Sequence, residues 1–238
     1  MLHDLLEALR LLTFFPAGAK RKNAKARTRA MFFFPLIGLA IGVISLWFAA
    51  LVQPFGPPKM MDLVLFISPI LLSRAVHLRS WTYASGALAE GKTKSETLRL
   101  MKDHVLTVGG VIGMTLLLMA KWELLQTLPF KPSNYLLALT ASRWAPVALA
   151  YFVPPAVAET DSAKVELREF GGASAFIFLL MLLVQGVGIL VFLGLTIFLA
   201  ALAYWIQKKA GGVTEELLYA TTEISEVFAF LFVTVFIR

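Results

Sequence analysis

Residues 31–52 read MFFFPLIGLAIGVISLWFAALV, twenty-two positions without one ionisable side chain. A helix rises about 1.5 Å per residue, so such a run covers the roughly 30 Å of a bilayer's hydrocarbon core. No water reaches backbone N–H and C=O groups there, and a helix is the way a single segment satisfies its own. The rest of the chain repeats the constraint. Leu63 to Val76 is shorter, carries Pro69 and Arg74, and extends back to Met60. Val105 to Ala120, Tyr135 to Val153 with Arg143 inside it, and Ala220 to Ile237 follow. Gly171 to Ile206 is too long for one helix and reads as two, turning near Gln185 to Gly188. The expectation is an all-α integral membrane protein, a bundle of six to seven transmembrane helices forming one polytopic domain over residues 1–238. Composition agrees: 58% hydrophobic and 16% charged, with a mean hydropathy of +0.77. Soluble domains are about half apolar and about a quarter charged. The chain has no cysteine, which removes disulfides and thiolate metal sites.

The formal net charge is +7, and the basic residues sit in short segments between apolar runs. That distribution marks membrane topology and argues against a nucleic-acid partner. Lys20, Arg21, Lys22, Lys25, Arg27 and Arg29 precede the first span, which puts that loop in the cytoplasm. Alternation then puts residues 79–104, 154–170 and 207–216 on the same side, and these hold a further nine Lys and Arg. The opposite loops hold only Lys59, Lys121 and Lys131. Residues 79–104 are therefore expected as a cytoplasmic loop and helix. No secretory cleavage site follows the N-terminus.

Within residues 1–16, His3, Asp4, Glu7 and Arg10 fall on one helical face and Leu2, Leu5, Leu6, Leu9 and Leu12 on the other. This is the period of an amphipathic helix lying at the membrane interface and ended by Pro16; a cap packed on the bundle has the same pattern. Chemistry is expected on the cytoplasmic face. EGKTKSETLRLMKDH reads as a short helix opened by a Thr93–Glu96 capping box, delivering Lys102, Asp103 and His104 to the next span. Gly109 and Gly110 there permit close helix packing. Further on, KKAGGVTEELLYATTEISE places Glu216, Glu223 and Glu226 on roughly one face of a helix. Carboxylates at a membrane span need a partner, solvent or a metal. Asp103, Glu223 and Glu226 are accordingly expected at one cytoplasmic cleft, with Arg143 at its base.

Several of these pieces occur in a recognisable order. ALRLLTFFPAG, FFFPLIGLAIGV, LRLMKD, SRWAPVAL, and GGVT followed after eight residues by EISE resemble the signature segments of the adenosylcobinamide-GDP ribazoletransferase (cobalamin synthase) family along nearly the whole chain. The resemblance implies a multi-pass protein of the bacterial inner membrane that finishes vitamin B12 assembly. It would join adenosylcobinamide-GDP to α-ribazole, or to its 5′-phosphate, and release GMP. Corrinoid and ribazole ligands are implied with it, and a homodimer is among the assemblies open to the chain. It also implies Mg²⁺, since phosphoryl transfer gains from a divalent ion that neutralises the bridging phosphates and is held on clustered acids. By the same resemblance His77, Lys102 and Asp103 are the catalytic candidates, and Arg79, Arg143 and Thr214 the substrate-binding ones. Asp103, Glu216, Glu223 and Glu226 are the candidate metal ligands.

The segment HLRSWTYASGALAEG departs from the family pattern. The family has H-L-D-G-x-x-D-x-x-D-G, and here His77 and Leu78 match while Arg79, Tyr83 and Gly86 stand where the three aspartates would be. An arginine repels Mg²⁺, though it can bind phosphate directly. Glu215 replaces a glycine of the C-terminal signature, and Glu216 keeps the charge of its aspartate. His77 reads as a cap on the second span, or alternatively as a proton acceptor from the ribazole hydroxyl. Three functions stay open at this point. They are a divergent transferase with its metal on other acids, a degenerate member (a pseudoenzyme) that binds its ligand without efficient transfer, and a transporter or channel subunit.

Overall fold

The computed structural model describes residues 1–15, 24–128, 132–156, 164–183 and 187–236. Among them the chain is helical, with one isolated bridge between Pro155 and Val213 as its only β pairing. An N-terminal helix α1 (Leu2–Leu12) and a short α2 (Ala24–Met31) lead into α3 (Phe34–Val52). Then come α4 (Pro58–Leu72), α5 (Val76–Glu90), α6 (Lys94–Lys102) and α7 (Val108–Thr127). The remainder is α8 (Pro132–Phe152), α9 (Leu167–Leu183), α10 (Val187–Ala210) and α11 (Glu215–Phe236).

Four segments, 34–55, 108–127, 188–210 and 215–236, are long and apolar enough to cross a membrane; the bent pair α4–α5 makes five if it counts as one span. The protein is a multi-pass helical membrane protein. The expected fourth span, α8, is not among the four, and its surroundings explain why. Every residue from Asn134 to Ala150 except Leu136 is buried, against α3, α9, α10 and α11. Such a helix carries Asn134, Thr140, Ser142 and Arg143 because it faces other helices rather than lipid.

Three boundaries differ from the sequence expectation. Residues 79–90, expected within a loop, are the body of α5, which packs on α7 and α11. The second span stops at Leu72 and the chain turns by 82° into α5. Arg74 and Ala75 make that turn in the left-handed region (φ 55 and 51), where residues other than glycine are uncommon. The Ala75 N–H closes the helix end on the Ile70 carbonyl at 2.8 Å, and the Phe14 N–H caps the Leu72 carbonyl at 2.9 Å. Pro69 does not end α4. Its missing N–H leaves the Leu65 carbonyl free, and the Tyr135 hydroxyl donates to it at 2.8 Å. Finally, α7 runs seven residues past Ala120, so Lys121 lies inside the bundle (4% exposed) rather than in a loop.

The capping of α6 is as expected: Thr93 accepts from the Glu96 N–H at 3.1 Å, while the Glu96 carboxylate accepts from Lys92 N–H at 3.0 Å. Helix α1 buries Ala8 and Leu12 against the bundle, and Glu7 is buried beside its ion-pair partner Arg10. The interfacial terminus Pro16 and the turn at Gln185 lie outside the described residues.

Candidate functional site

One end of the bundle gathers the segments that the charge count put on a common face. Arg27 of α2 reaches the Glu215 carboxylate at 3.1 Å. His104, just after α6, contacts Glu216 at 3.1 Å. The Val213 N–H donates to the Pro154 carbonyl at 2.9 Å, and the Thr214 hydroxyl meets the sulfur of buried Met101 at 3.6 Å. Gly211 makes the turn between α10 and α11 at φ 78, a conformation that glycine adopts without strain. Thr214 then caps α11, accepting from the Leu217 N–H at 3.2 Å.

These contacts enclose a cavity of about 380 Å³. Its apolar wall comes from α1, α2, α3, α6, α8 and α11, through Leu11, Met31, Phe34, Leu98, Pro146 and Leu218. Four cations reach it, Arg27, Arg99, Lys102 and Lys164, against two acids, Glu215 and Glu216. Of the residues expected at a site, Lys102, Thr214 and Glu216 line this cavity.

Deeper in the bundle lies a second polar group. Lys121 Nζ stands 2.8 Å from both Glu223 Oε2 and Glu226 Oε1, and an Arg143 guanidinium nitrogen is 2.6 Å from Glu226 Oε2. The same nitrogen donates to Ser142 Oγ at 2.9 Å and to the Leu139 carbonyl at 3.3 Å. All four charged residues are 4% exposed or less. Counting 1.5 Å per residue puts Glu223 and Glu226 about 12 and 16 Å into α11, and Lys121 about 20 Å into α7. Ions at that depth in lipid persist only when paired. Two acids meet two cations here, so the network is neutral. Glycine makes room for it: a Cβ on Gly38 would lie 2.6 Å from the Leu139 carbonyl oxygen and 3.0 Å from the Arg143 side chain.

Glu223, Glu226 and Arg143 therefore share one network, inside the bundle rather than at the expected cytoplasmic cleft, and Asp103 does not join them. Asp103 is half exposed after α6, 3.7 Å from Arg99. His77 is fully buried, 5.5 Å by ring centroids from Tyr219, and neither ring nitrogen has a hydrogen-bond partner among the described residues. It makes no side-chain cap on α5 and is not part of the cavity wall. Arg79 is exposed and also outside that wall. Tyr83 packs its ring 5.0 Å from His104. Gly86 packs against the start of α7.

The expected metal ligands do not form a magnesium site. Glu223 and Glu226 are taken up by Lys121 and Arg143, Glu216 by His104 and Asp103 by Arg99. Among the described residues no three His, Asp or Glu side chains are grouped to hold a metal. Magnesium needs convergent carboxylate oxygens with room for water, and ammonium and guanidinium groups fill that room here.

Lys121 was missed by sequence reasoning, because it follows the expected end of its span. One signal was available: Glu223 and Glu226 on one face of a span need two cations, and Arg143 supplies one.

With that geometry in place, the comparisons with known proteins are specific. The sequence model of the cobalamin-5-phosphate synthase family matches residues 4–234. An adenosylcobinamide-GDP ribazoletransferase of Chlorobium phaeobacteroides is 30% identical over 95% of each chain, and one of Prosthecochloris aestuarii is 29% identical over 95% of each. That of Shewanella piezotolerans is 30% identical over 88% of this chain and 85% of its own. No solved structure matches. The match runs through both the cavity and the buried ion network, and the chain belongs to the cobalamin-5-phosphate synthase family.

Proposed function

We propose that this protein acts at the last step of cobalamin nucleotide-loop assembly, joining adenosylcobinamide-GDP to α-ribazole or its 5′-phosphate and releasing GMP. A ribazole hydroxyl forms the new P–O bond to the phosphorus on the corrinoid side, the P–O bond to GMP breaks, and the hydroxyl proton leaves to a base. Glu216 lines the cavity and contacts His104 at 3.1 Å, and this pair is an acid–base couple suited to take it. What supports the reading is the match to ribazoletransferases over 95% of both chains. The reading carries with it the inner membrane, six or seven spans, and a cavity that opens to the cytoplasm.

One observation favours a second reading, ligand binding without efficient transfer. Arg79, Tyr83 and Gly86 replace the three motif aspartates, and the remaining acids are already paired. The experiment supplies adenosylcobinamide-GDP and α-ribazole to the protein in lipid and follows GMP with and without Mg²⁺. GMP release insensitive to chelation is expected. Release that requires Mg²⁺ would mean that other acids carry the ion, and bound ligand with no GMP selects the second reading.

Topology has its own test, helped by the absence of native cysteine. Ser95→Cys on α6 and Gln126→Cys at the far end of the 20-residue α7 are both exposed positions. They are expected to label from opposite faces of oriented vesicles, Ser95→Cys from the cytoplasmic one. Labelling of both from one face removes α7 as a span.

A further inference from the structure

Helix α10 carries an apolar stripe that ends in cations. Val191, Leu195, Leu199 and Ile206 are buried on the side that packs on the bundle. On the opposite side Leu190, Ile197 and Tyr204 follow at seven-residue steps, all exposed, and Lys208 continues the line. Trp205 is exposed beside Tyr204, and Lys209 stands one turn beyond it. At about 1.5 Å per residue the helix is about 36 Å long, against about 30 Å for a hydrocarbon core. With its apolar part in the core, Tyr204 and Trp205 fall at headgroup level, where such rings concentrate, and the two lysines fall just outside. Lys94 joins them, because α6 packs on α10 and a Cβ on Gly211 would lie 3.6 Å from Lys94 Cδ. Lys94, Lys208 and Lys209 make no ion pair among the described residues. The acids close by in the chain are engaged elsewhere, Glu96 by the Lys92 N–H, Glu215 by Arg27 and Glu216 by His104.

We propose that this end of α10 is a binding site for an anionic phospholipid, with the headgroup phosphate on Lys94, Lys208 and Lys209 and the acyl chains along Leu190, Ile197 and Tyr204. Three like charges repel one another at this corner, and a phosphodiester placed among them reverses the sign of that interaction. Lysine suits the task, since its stem lies along apolar surface while its ammonium reaches the headgroup. The stripe decides the class of partner: a soluble anion uses the cations alone, and a phospholipid uses both. The headgroup also fixes the depth of the turn between α10 and α11, which leads directly to Thr214 on the cavity wall.

The test is native mass spectrometry of the full chain released from neutral detergent micelles, titrated with phosphatidylglycerol or phosphatidylcholine of identical acyl chains. Phosphatidylglycerol is expected to bind at least about tenfold more tightly, as two or three lysines at an anionic surface provide. Lys208→Gln/Lys209→Gln should remove most of that ratio and Lys94→Gln part of it, while Lys59→Gln, at the start of α4, leaves it unchanged. All four lysines are exposed, so these changes leave the packing of the bundle alone. Equal affinities for the two lipids in the unmodified protein overturn the proposal, with no variant required to fold. A ratio unmoved by Lys208→Gln/Lys209→Gln overturns it as well, since the preference then belongs to another basic surface. If glycerophosphoglycerol, the same headgroup without acyl chains, binds as tightly as the lipid, the site takes a soluble anion and the lipid assignment falls. The chain has no cysteine, so Ile197→Cys reports on the stripe itself. Oxidative cross-linking of that variant into dimers in phosphatidylglycerol nanodiscs would give the face to a second copy and overturn the proposal; monomers are expected.

Discussion

Replacing Glu226 by glutamine is expected to destabilise the protein by about 3–5 kcal/mol, the usual cost of breaking a buried ion pair from one side. Glu226 is the acid shared by both buried cations, 2.8 Å from Lys121 and 2.6 Å from Arg143. Without it Lys121 keeps Glu223, but Arg143 keeps only Ser142 and the Leu139 carbonyl, neither of which balances its charge. A guanidinium cannot escape by losing its proton, so the bundle must hold a bare cation at mid-depth or open to water. Glu223→Gln should cost clearly less, because Lys121 retains Glu226. The arithmetic of the network supplies the sharper comparison. Removing Arg143 together with Glu226, as Arg143→Met/Glu226→Gln, leaves the neutral pair Lys121–Glu223. That double variant should be more stable than Glu226→Gln alone, measured by denaturant unfolding in detergent micelles. Single-variant losses that simply add in the double variant would mean that the two residues do not interact.

The parts of this architecture that depend on length and polarity along one segment are readable from that segment. The run at 31–52 has to be a helix, and Thr93 with Glu96 marks the start of α6 because capping is local chemistry. What depends on a neighbour is not readable in this way. Helix α8 carries Arg143 and Asn134 because helices surround it on every side, and hydropathy along one segment cannot distinguish a helix-facing surface from a lipid-facing one. The stretch 79–90 reads as part of a cytoplasmic loop for the same reason. Its Ser80, Ala84, Gly86 and Ala87 are the small buried residues by which α5 packs in the bundle. The turn at Arg74–Ala75 has no sequence signal either, since neither residue favours the left-handed region that it occupies. At the site, the grouping of Glu223, Glu226 and Arg143 followed from the need of each charge for a partner. Asp103 followed the same rule to a different partner, Arg99, one helical turn away on the surface. Proximity in the motif did not bring it to the network.

Restoring the lost aspartates should show how far the α5–α7 packing has closed around their absence. Arg79→Asp is expected to change stability by no more than about 0.5 kcal/mol, as is usual for an exposed position. Gly86→Asp is expected to cost about 2–4 kcal/mol, from three sources that act together. A Cβ there would be pressed against Thr107 Oγ1, 3.0 Å from the Gly110 nitrogen and 3.1 Å from its Cα. Overpacking of this kind costs about 1–3 kcal/mol, and here backbone rather than a flexible side chain would have to move. Thr107 also caps α7, accepting from the Gly110 N–H at 3.2 Å, and pushing it aside forfeits about 1 kcal/mol more. The carboxylate itself would enter a buried position whose nearest neighbours are Thr107 and Gly110, which adds a desolvation cost. Helix α7 cannot retreat easily, because Gly110 itself is fitted against the Thr82 carbonyl of α5. Thermal unfolding in nanodiscs should therefore rank Arg79→Asp as neutral and Gly86→Asp as severely destabilised, with Gly86→Ala already partway there. A Gly86→Asp protein as stable as the unmodified chain would mean that α5 and α7 are free to separate. The aspartate triplet of the motif that this segment resembles could then be rebuilt by substitution without repacking the helix pair.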